Sequence, residues 1–81
     1  MNTRKDFETT AQIINAEVKR AMAQHGAPSS DETRIRAQGA LFTLCRMCAL
    51  LGELYAQDNP RYDHARFKEA CGITEEVEKA V

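Results

Sequence analysis

The chain has 81 residues, of which 43% are hydrophobic and 28% are charged, and its 11 lysine and arginine residues nearly balance 12 aspartate and glutamate residues at a formal net charge of −1. This length provides for one small domain, and the ordinary apolar fraction excludes a disordered chain. The near-neutral charge argues against a general binder of nucleic acid or of membrane surfaces, since both need a basic excess. Because so short a chain buries only about 60–65% of its unfolded surface, association with a second copy is an option from the outset.

Three features of the sequence indicate a cytoplasmic protein. Charged side chains at positions 4, 5, 6 and 8 interrupt the region where a secretory signal would need an apolar stretch. The longest uninterrupted apolar run, Met47 to Gly52, is far shorter than the roughly 18 residues of a membrane span. The odd number of cysteines is typical of reduced thiols in a cytosol. We therefore expect a cytoplasmic location and no membrane partner.

The first segment has the apolar spacing of an amphipathic helix. Apolar residues recur at steps of three and four from Phe7 to Ala21, which places them along one side of a helix. Gly26 suits the left-handed position that follows the last turn. The pattern predicts a helix over residues 4–25 and a loop over residues 26–30.

A second helix is predicted over residues 30–57, and apolar residues occupy much of its circumference. Ser29 and Glu32 have the spacing of a capping box at its start, and Pro60 disfavours helical geometry in the residue before it. Two adjacent apolar stripes follow from the helical spacing. One stripe contains Leu41, Leu44, Cys48, Leu51 and Tyr55, and the other contains Phe42, Cys45, Ala49 and Gly52.

The first helix can cover only one of these two stripes. The second stripe consists largely of small residues, which allow the backbone of another helix to approach closely. We therefore predict a homodimer built as a four-helix bundle. The residues predicted near its two-fold axis are those of the second stripe: Phe42, Cys45, Ala49 and Gly52. Arg46 and Glu53, seven residues apart, are interpreted as a narrow solvated strip.

The end of the chain has the signals of a short third helix. Asp63 is a suitable N-cap, and Gly72 suits a left-handed residue after the last turn. These signals predict a helix over residues 64–71. Thr74 is a candidate cap for a final turn over residues 75–81, and the tail over residues 74–81 is expected to fray.

Three of the five aromatic residues are predicted to meet at one end of the molecule. A hairpin returns the chain from residue 57 to the start of the first helix, which brings Tyr62 and Phe67 towards Phe7. The predicted fold is thus all-α, with a long antiparallel helical hairpin and a short helix docked across its open end.

Cys45 and Cys48 form a Cys-x-x-Cys motif, for which three interpretations remain open. Redox pairs of this type stand at the start of a helix, where the dipole lowers the thiol pKa, whereas this pair falls in the middle of a long helix. A zinc site needs four convergent ligands, and the other candidates, His25, His64 and Cys71, are irregularly spaced. Packing is the preferred interpretation, ahead of a metal site and a redox pair, so we predict neither metal nor cofactor.

The sequence also has no recognisable catalytic motif. It contains no glycine-rich phosphate loop, no paired catalytic carboxylates and no nucleophile elbow. Neither histidine has a serine or an acid beside it in a known catalytic arrangement. We therefore expect that the protein is not an enzyme.

The segment from residue 61 to residue 68 is a candidate partner-binding site. Its basic residues are Arg61, His64, Arg66 and Lys68. With Asp63 included, the segment has a charge of +2, whereas residues 69–81 contain one lysine and four glutamates and sum to −3. A helix-turn-helix formed by this part of the chain would place the glutamates against DNA phosphates, so an acidic protein is favoured over DNA as the partner. The plainer alternative is that the segment is a solvated face.

Both ends of the chain resemble a group of small, mostly uncharacterised proteins encoded by bacteriophages, prophages and other mobile elements. The N-terminal match is Arg4-Lys5-Asp6-Phe7-Glu8, and the C-terminal match is Asn59-Pro60-Arg61-Tyr62-Asp63 followed by Arg66-Phe67 and Ala70-Cys71-Gly72. The middle of the chain does not match. The resemblance implies origin in a mobile element and carries no agreed activity.

Three classes of function are therefore considered. The first is a non-catalytic accessory protein of a phage or mobile element that binds a host or phage protein, with inhibition as one mode of action. The second is a small DNA-binding regulator that uses the basic segment 61–68. The third is a binder of a small ligand at the seam of the dimer.

Overall fold

The computed structural model describes residues 4–26 and 30–81, with side chains from residue 7 onwards. The described residues form four helices: α1 (Arg4–Gly26), α2 (Asp31–Asp58), α3 (His64–Ala70) and α4 (Glu75–Ala80). These ranges contain no strand, and the predicted all-α class is confirmed. Part of the predicted loop and the capping role of Ser29 fall on residues 27–29, outside the described residues.

The two long helices form a hairpin that sets the shape of the molecule, 44 × 18 × 17 Å. Phe7, near the start of α1, lies beside Tyr55, near the end of α2, with ring centroids 5.4 Å apart, so the helices are antiparallel. Their facing sides form the core. The buried core residues of the hairpin are Ala11, Ile14, Val18 and Ala21 of α1 and Leu41, Cys48 and Tyr55 of α2.

Local hydrogen bonds define both ends of α2. The Ser30 side chain accepts a hydrogen bond from the backbone N–H of Thr33 at 3.3 Å and so caps the first turn. At the other end, Asn59 is extended and its N–H donates to the carbonyl of Tyr55 at 2.9 Å. The helix ends there because the following Pro60 excludes a helical conformation at Asn59.

Helix α3 is held at both ends and is fastened to α1. The Asp63 carboxylate accepts a hydrogen bond from the N–H of Arg66 at 3.2 Å. After the last turn, Gly72 has a φ of 78°, the left-handed conformation that glycine adopts without strain. The Asn15 amide donates to the carbonyl of Ala70 at 3.0 Å, which ties the end of α3 to α1.

The tail after Gly72 differs from the predicted frayed segment, because residues 75–80 form the packed helix α4. The Thr74 hydroxyl caps its first turn, and Val77 is buried in the core with Ile73. The side chains of Lys68 and Glu78 form an ion pair that joins α3 to α4. Burial of the two apolar residues supplies the tertiary packing that so short a helix needs.

Candidate functional site

Four aromatic rings pack together at the open end of the hairpin. The three predicted members lie close to one another, with ring centroids 4.7 Å apart for Phe7 and Phe67, 5.9 Å for Phe7 and Tyr62, and 6.2 Å for Tyr62 and Phe67. Tyr55 is the fourth ring, 5.3 Å from Phe67. The sequence pattern placed Tyr55 on an apolar stripe of α2 but did not connect it to the cluster. The cluster docks α3 and is structural.

Gly52, which is predicted near the two-fold axis, lies beneath this aromatic end. A methyl group on Gly52 would overlap the His64 ring and would lie 2.8 Å from the Tyr62 hydroxyl. The residue is buried by its own chain. Helical spacing shows which residues share a stripe, but it does not show which later segment of the chain covers them.

Cys45, which is also predicted near the two-fold axis, makes contacts within its own chain. Its side chain is half-buried and packs against the core, near Lys68 and Glu78, which link α3 and α4. Burial raises the pKa of its thiol, and the neighbouring Cys48 adds to this effect. Phe42 and Ala49, the other two predicted seam residues, are exposed.

The other two thiols face each other in the core. The Cys71 thiol, just after α3, hydrogen-bonds to the Cys48 thiol of α2. This bond raises the pKa of Cys71, helped by burial, and lowers the pKa of Cys48. Within the described ranges, no group of three histidine, cysteine, aspartate or glutamate residues is arranged to hold a metal ion.

The basic segment 61–68 is partly occupied by contacts within the chain. Lys68 pairs with Glu78, and that hydrogen bond raises the pKa of the lysine. His64 is exposed, but its Nδ1 is hydrogen-bonded to the Tyr62 hydroxyl at 2.9 Å. Arg61 and Arg66 remain exposed. The two arginines are thus the strongest feature of this segment for an acidic partner.

One flank of α2 exposes three large apolar side chains. Met47, Leu50 and Leu54 are 44%, 54% and 49% exposed, although each is a large apolar side chain. Exposed Ala40 and Thr43 continue the same line towards the start of the helix. We call these five residues, Ala40, Thr43, Met47, Leu50 and Leu54, the outer stripe. Contiguous apolar surface of this kind marks an interaction site more often than isolated exposed residues do.

Two charged residues border the outer stripe. Arg46 and Glu53 are the only charged residues between Arg36 and Asp58. Both are exposed, and neither has an ion-pair partner in the part of the chain that the structure describes. Their separation of seven residues places them on the same side of α2, about 10 Å apart along the helix axis.

Helix α2 is also long and apolar enough to cross a membrane, judged by length and composition alone. An 18-residue window has a mean hydropathy of 1.3, and 22% of that window is buried in the fold. Polar residues such as Thr43 and Arg46 interrupt the apolar residues of α2, so the length of its longest apolar run did not indicate this property. The mostly buried core helix of a soluble protein and a signal sequence both have this property as well.

An open groove of about 320 Å³ lies between α1 and the C-terminal segment. Its lining includes Asn15, Met22 and Thr74, together with the charged residues Lys19 and Glu76. The chain has no match among protein-family models, curated proteins or solved structures. Its function must therefore be inferred from its own surfaces.

Proposed function

We propose that this chain is a non-catalytic interaction protein that assembles as a homodimer and, in that form, binds a second protein. The observation that carries the proposal is the exposed apolar flank of α2, where three large side chains are each about half exposed. A hairpin of two helices has too few elements to cover such a flank. A dimeric four-helix bundle covers it with the same flank of another copy.

The partner protein is proposed to bind at the basic segment. Arg61 and Arg66 project into solvent near the end of the hairpin, and arginine forms strong paired hydrogen bonds with carboxylates. An acidic surface on a host or phage protein suits this site. The resemblance of both chain ends to proteins of mobile elements favours such a partner, and a cytoplasmic location is part of the same proposal.

The competing function is a small DNA-binding regulator that uses the same arginines. The ion pair between Lys68 and Glu78 weakens this proposal, because it neutralises one of the basic side chains. The three glutamates in the first turn of α4 lie close to the basic segment in sequence and repel phosphate. Protein is therefore the preferred partner.

Sedimentation velocity tests the homodimer directly. Over about 1–100 µM protein, we expect a species of twice the 9.1 kDa chain mass that dissociates on dilution. A single species of the chain mass across this range would contradict the proposal.

A quantitative pull-down from bacterial lysate tests the second partner. The doubly substituted Arg61→Glu/Arg66→Glu protein is expected to lose that partner, while Arg36→Glu, a change on the exposed start of α2, is expected to retain it. Equal recovery by both variants would contradict the assignment to the basic segment. Binding of duplex DNA that weakens as salt rises would favour the regulator instead.

A further inference from the structure

We propose that the outer stripe pairs with the outer stripe of a second copy of this chain in an antiparallel helix pair, with a register set by ion pairs between Arg46 of one copy and Glu53 of the other. This inference rests on the proposed homodimer and specifies its surface and its register. It differs from the seam predicted from sequence, because within the single chain Gly52 of that seam is buried and Cys45 is half-buried.

The outer stripe has the spacing of a coiled-coil seam. Its residues follow one another at steps of three and four from Ala40 to Leu54, a length of about 21 Å. In heptad terms, Ala40, Met47 and Leu54 occupy a positions, and Thr43 and Leu50 occupy d positions. Arg46 and Glu53 then both occupy g positions, at the border of the seam.

The two charges favour antiparallel over parallel pairing. In a parallel dimer, a g residue faces the e residue five positions later in the other chain. Glu53 would then face Asp58 of the partner subunit, a like charge, and Arg46 would face an apolar residue, Leu51 of the partner subunit. In an antiparallel dimer, g residues face g residues, so Arg46 meets Glu53 of the partner subunit twice, once on each side of the two-fold axis.

The apolar layers agree with the same register. When Arg46 lies opposite Glu53 of the partner subunit, Met47 packs beside Leu50 of the partner subunit at the centre of the seam. Thr43 then lies beside Leu54 of the partner subunit. The Thr43 hydroxyl already donates to the carbonyl of Gly39 at 3.1 Å, so its burial leaves no donor unpaired.

The flank that bears the outer stripe is open on both helices of the hairpin. On α1, Ile14 is in the core and Asn15 bonds to α3, so Ile13 lies on the side away from α3 and is 62% exposed. On α2, Gly52 lies beneath the segment that leads into α3, and the outer stripe is on the opposite flank. A second hairpin can therefore pack against both helices without moving α3 or α4.

A lipid bilayer fits this surface less well than a second copy does. A membrane-spanning α2 would have to leave α1 and expose Leu41, Cys48 and Tyr55, which the hairpin buries. It would also carry Arg46 and Glu53 into hydrocarbon. A helix lying on the bilayer surface typically has a basic polar face, whereas these two charges sum to zero.

A charge-exchange experiment tests the register. Arg46→Glu and Glu53→Arg are each expected to raise the dimer Kd about tenfold or more, because each places like charges opposite each other at two sites. The double variant Arg46→Glu/Glu53→Arg restores the pairs with reversed polarity and is expected to bring the Kd to within about threefold of the wild-type value. Arg34→Glu, at an exposed residue of α2 outside the seam, is the matched control and leaves the Kd unchanged.

The outcomes separate this inference from the proposed function. A wild-type dimer in which the double variant is no tighter than the single variants would overturn the register and leave the homodimer standing. A wild-type monomer would overturn both. The helix content of all variants is compared by circular dichroism. If a charge-reversal variant loses helix content, Arg46→Gln and Glu53→Gln are used in its place, and a smaller rise in the dimer Kd is expected for them. Binding of monomeric wild-type protein to phosphatidylcholine vesicles would assign the outer stripe to lipid and overturn the inference.

Discussion

Gly39 and Gly52 lie in the same helix but have opposite surroundings. No atom outside the local helix lies within 4 Å of a methyl group built on Gly39, whereas such a group on Gly52 meets His64 and Tyr62. Gly52 is therefore the place where the turn before α3 approaches the backbone of α2. The glycine makes that close approach feasible at the expense of helix propensity.

Alanine substitutions at the two glycines measure this difference. We expect Gly39→Ala to raise the free energy of unfolding by about 0.5–1 kcal/mol, because alanine is the better helix former. The free energy of unfolding of Gly52→Ala is expected to fall below that of the wild type, because the new methyl group forces the Tyr62–His64 hydrogen bond apart. Urea unfolding of both variants supplies the comparison, and an equal gain at the two sites would contradict the packing of Gly52.

The Tyr62 hydroxyl makes the free energy of unfolding depend on pH in the alkaline range. Burial raises the pKa of Tyr62 from 10.0 to about 12, because the charged phenolate is disfavoured in the fold. Below pH 10.0 the phenol is neutral in both the folded and the unfolded chain, and its contribution to the free energy of unfolding is complete. As the pH rises towards about 12, the unfolded chain ionises first and the contribution is lost.

Tyr62→Phe isolates this effect from the other groups that titrate at alkaline pH. From about pH 9 to about pH 11, the free energy of unfolding is expected to fall less steeply for this variant than for the wild type. Urea unfolding at each pH measures both slopes. Identical slopes for the two proteins would show that Tyr62 titrates alike in the folded and unfolded chains.

At the scale of single residues, sequence patterns anticipated contacts that follow from the path of the chain. The meeting of Phe7, Tyr62 and Phe67 follows from the return of the chain in a hairpin. The packing of Tyr62 and His64 over Gly52 does not follow from the path of the hairpin, because it depends on how the residues after Pro60 turn back over α2. That turn is set by tertiary packing, which has no periodic signal in the sequence.

Helix α3 is an element whose position depends on one side chain. Phe67 is fully buried and contacts three other rings. We expect Phe67→Ala to lower the free energy of unfolding by about 3–5 kcal/mol, because it removes the ring that anchors α3 to both long helices. Thermal and urea unfolding measure the loss. A negligible change would contradict the docking of α3 through the aromatic cluster.

Helix α4 depends on Val77 in a similar way. Val77→Ala is expected to cost about 1–3 kcal/mol, since the side chain is 3% exposed and belongs to the core. Lys79→Ala changes an exposed residue of the same helix and is expected to stay within about 0.5 kcal/mol of the wild type. Chemical unfolding distinguishes the two. If both variants were neutral, α4 would contribute nothing to the fold.

At the scale of elements, the long helices and α3 were predictable, whereas the packing of α4 was not. Long segments repeat the helical period several times, and Asp63 and Gly72 mark the ends of α3 by local chemistry. The six residues of α4 contain only one buried apolar position, Val77, which is too short a pattern to show period or docking.

The whole molecule presents two different surfaces. One flank of the hairpin is closed by α3 and α4, and the other is open and carries the outer stripe with Ile13. The sequence indicated that α2 has more apolar surface than this chain covers. It did not indicate which flank remains uncovered, because that depends on where the C-terminal helices dock.

Cross-chain nuclear Overhauser effects between a carbon-13-labelled copy and an unlabelled copy test most directly whether the outer stripe faces a second copy. We expect contacts between the methyl group of Met47 in one copy and the methyl groups of Leu50 in the other. These two residues share the central layer of the antiparallel register. Cross-chain contacts confined to other surfaces, or none at concentrations well above the dimer Kd, would contradict the pairing.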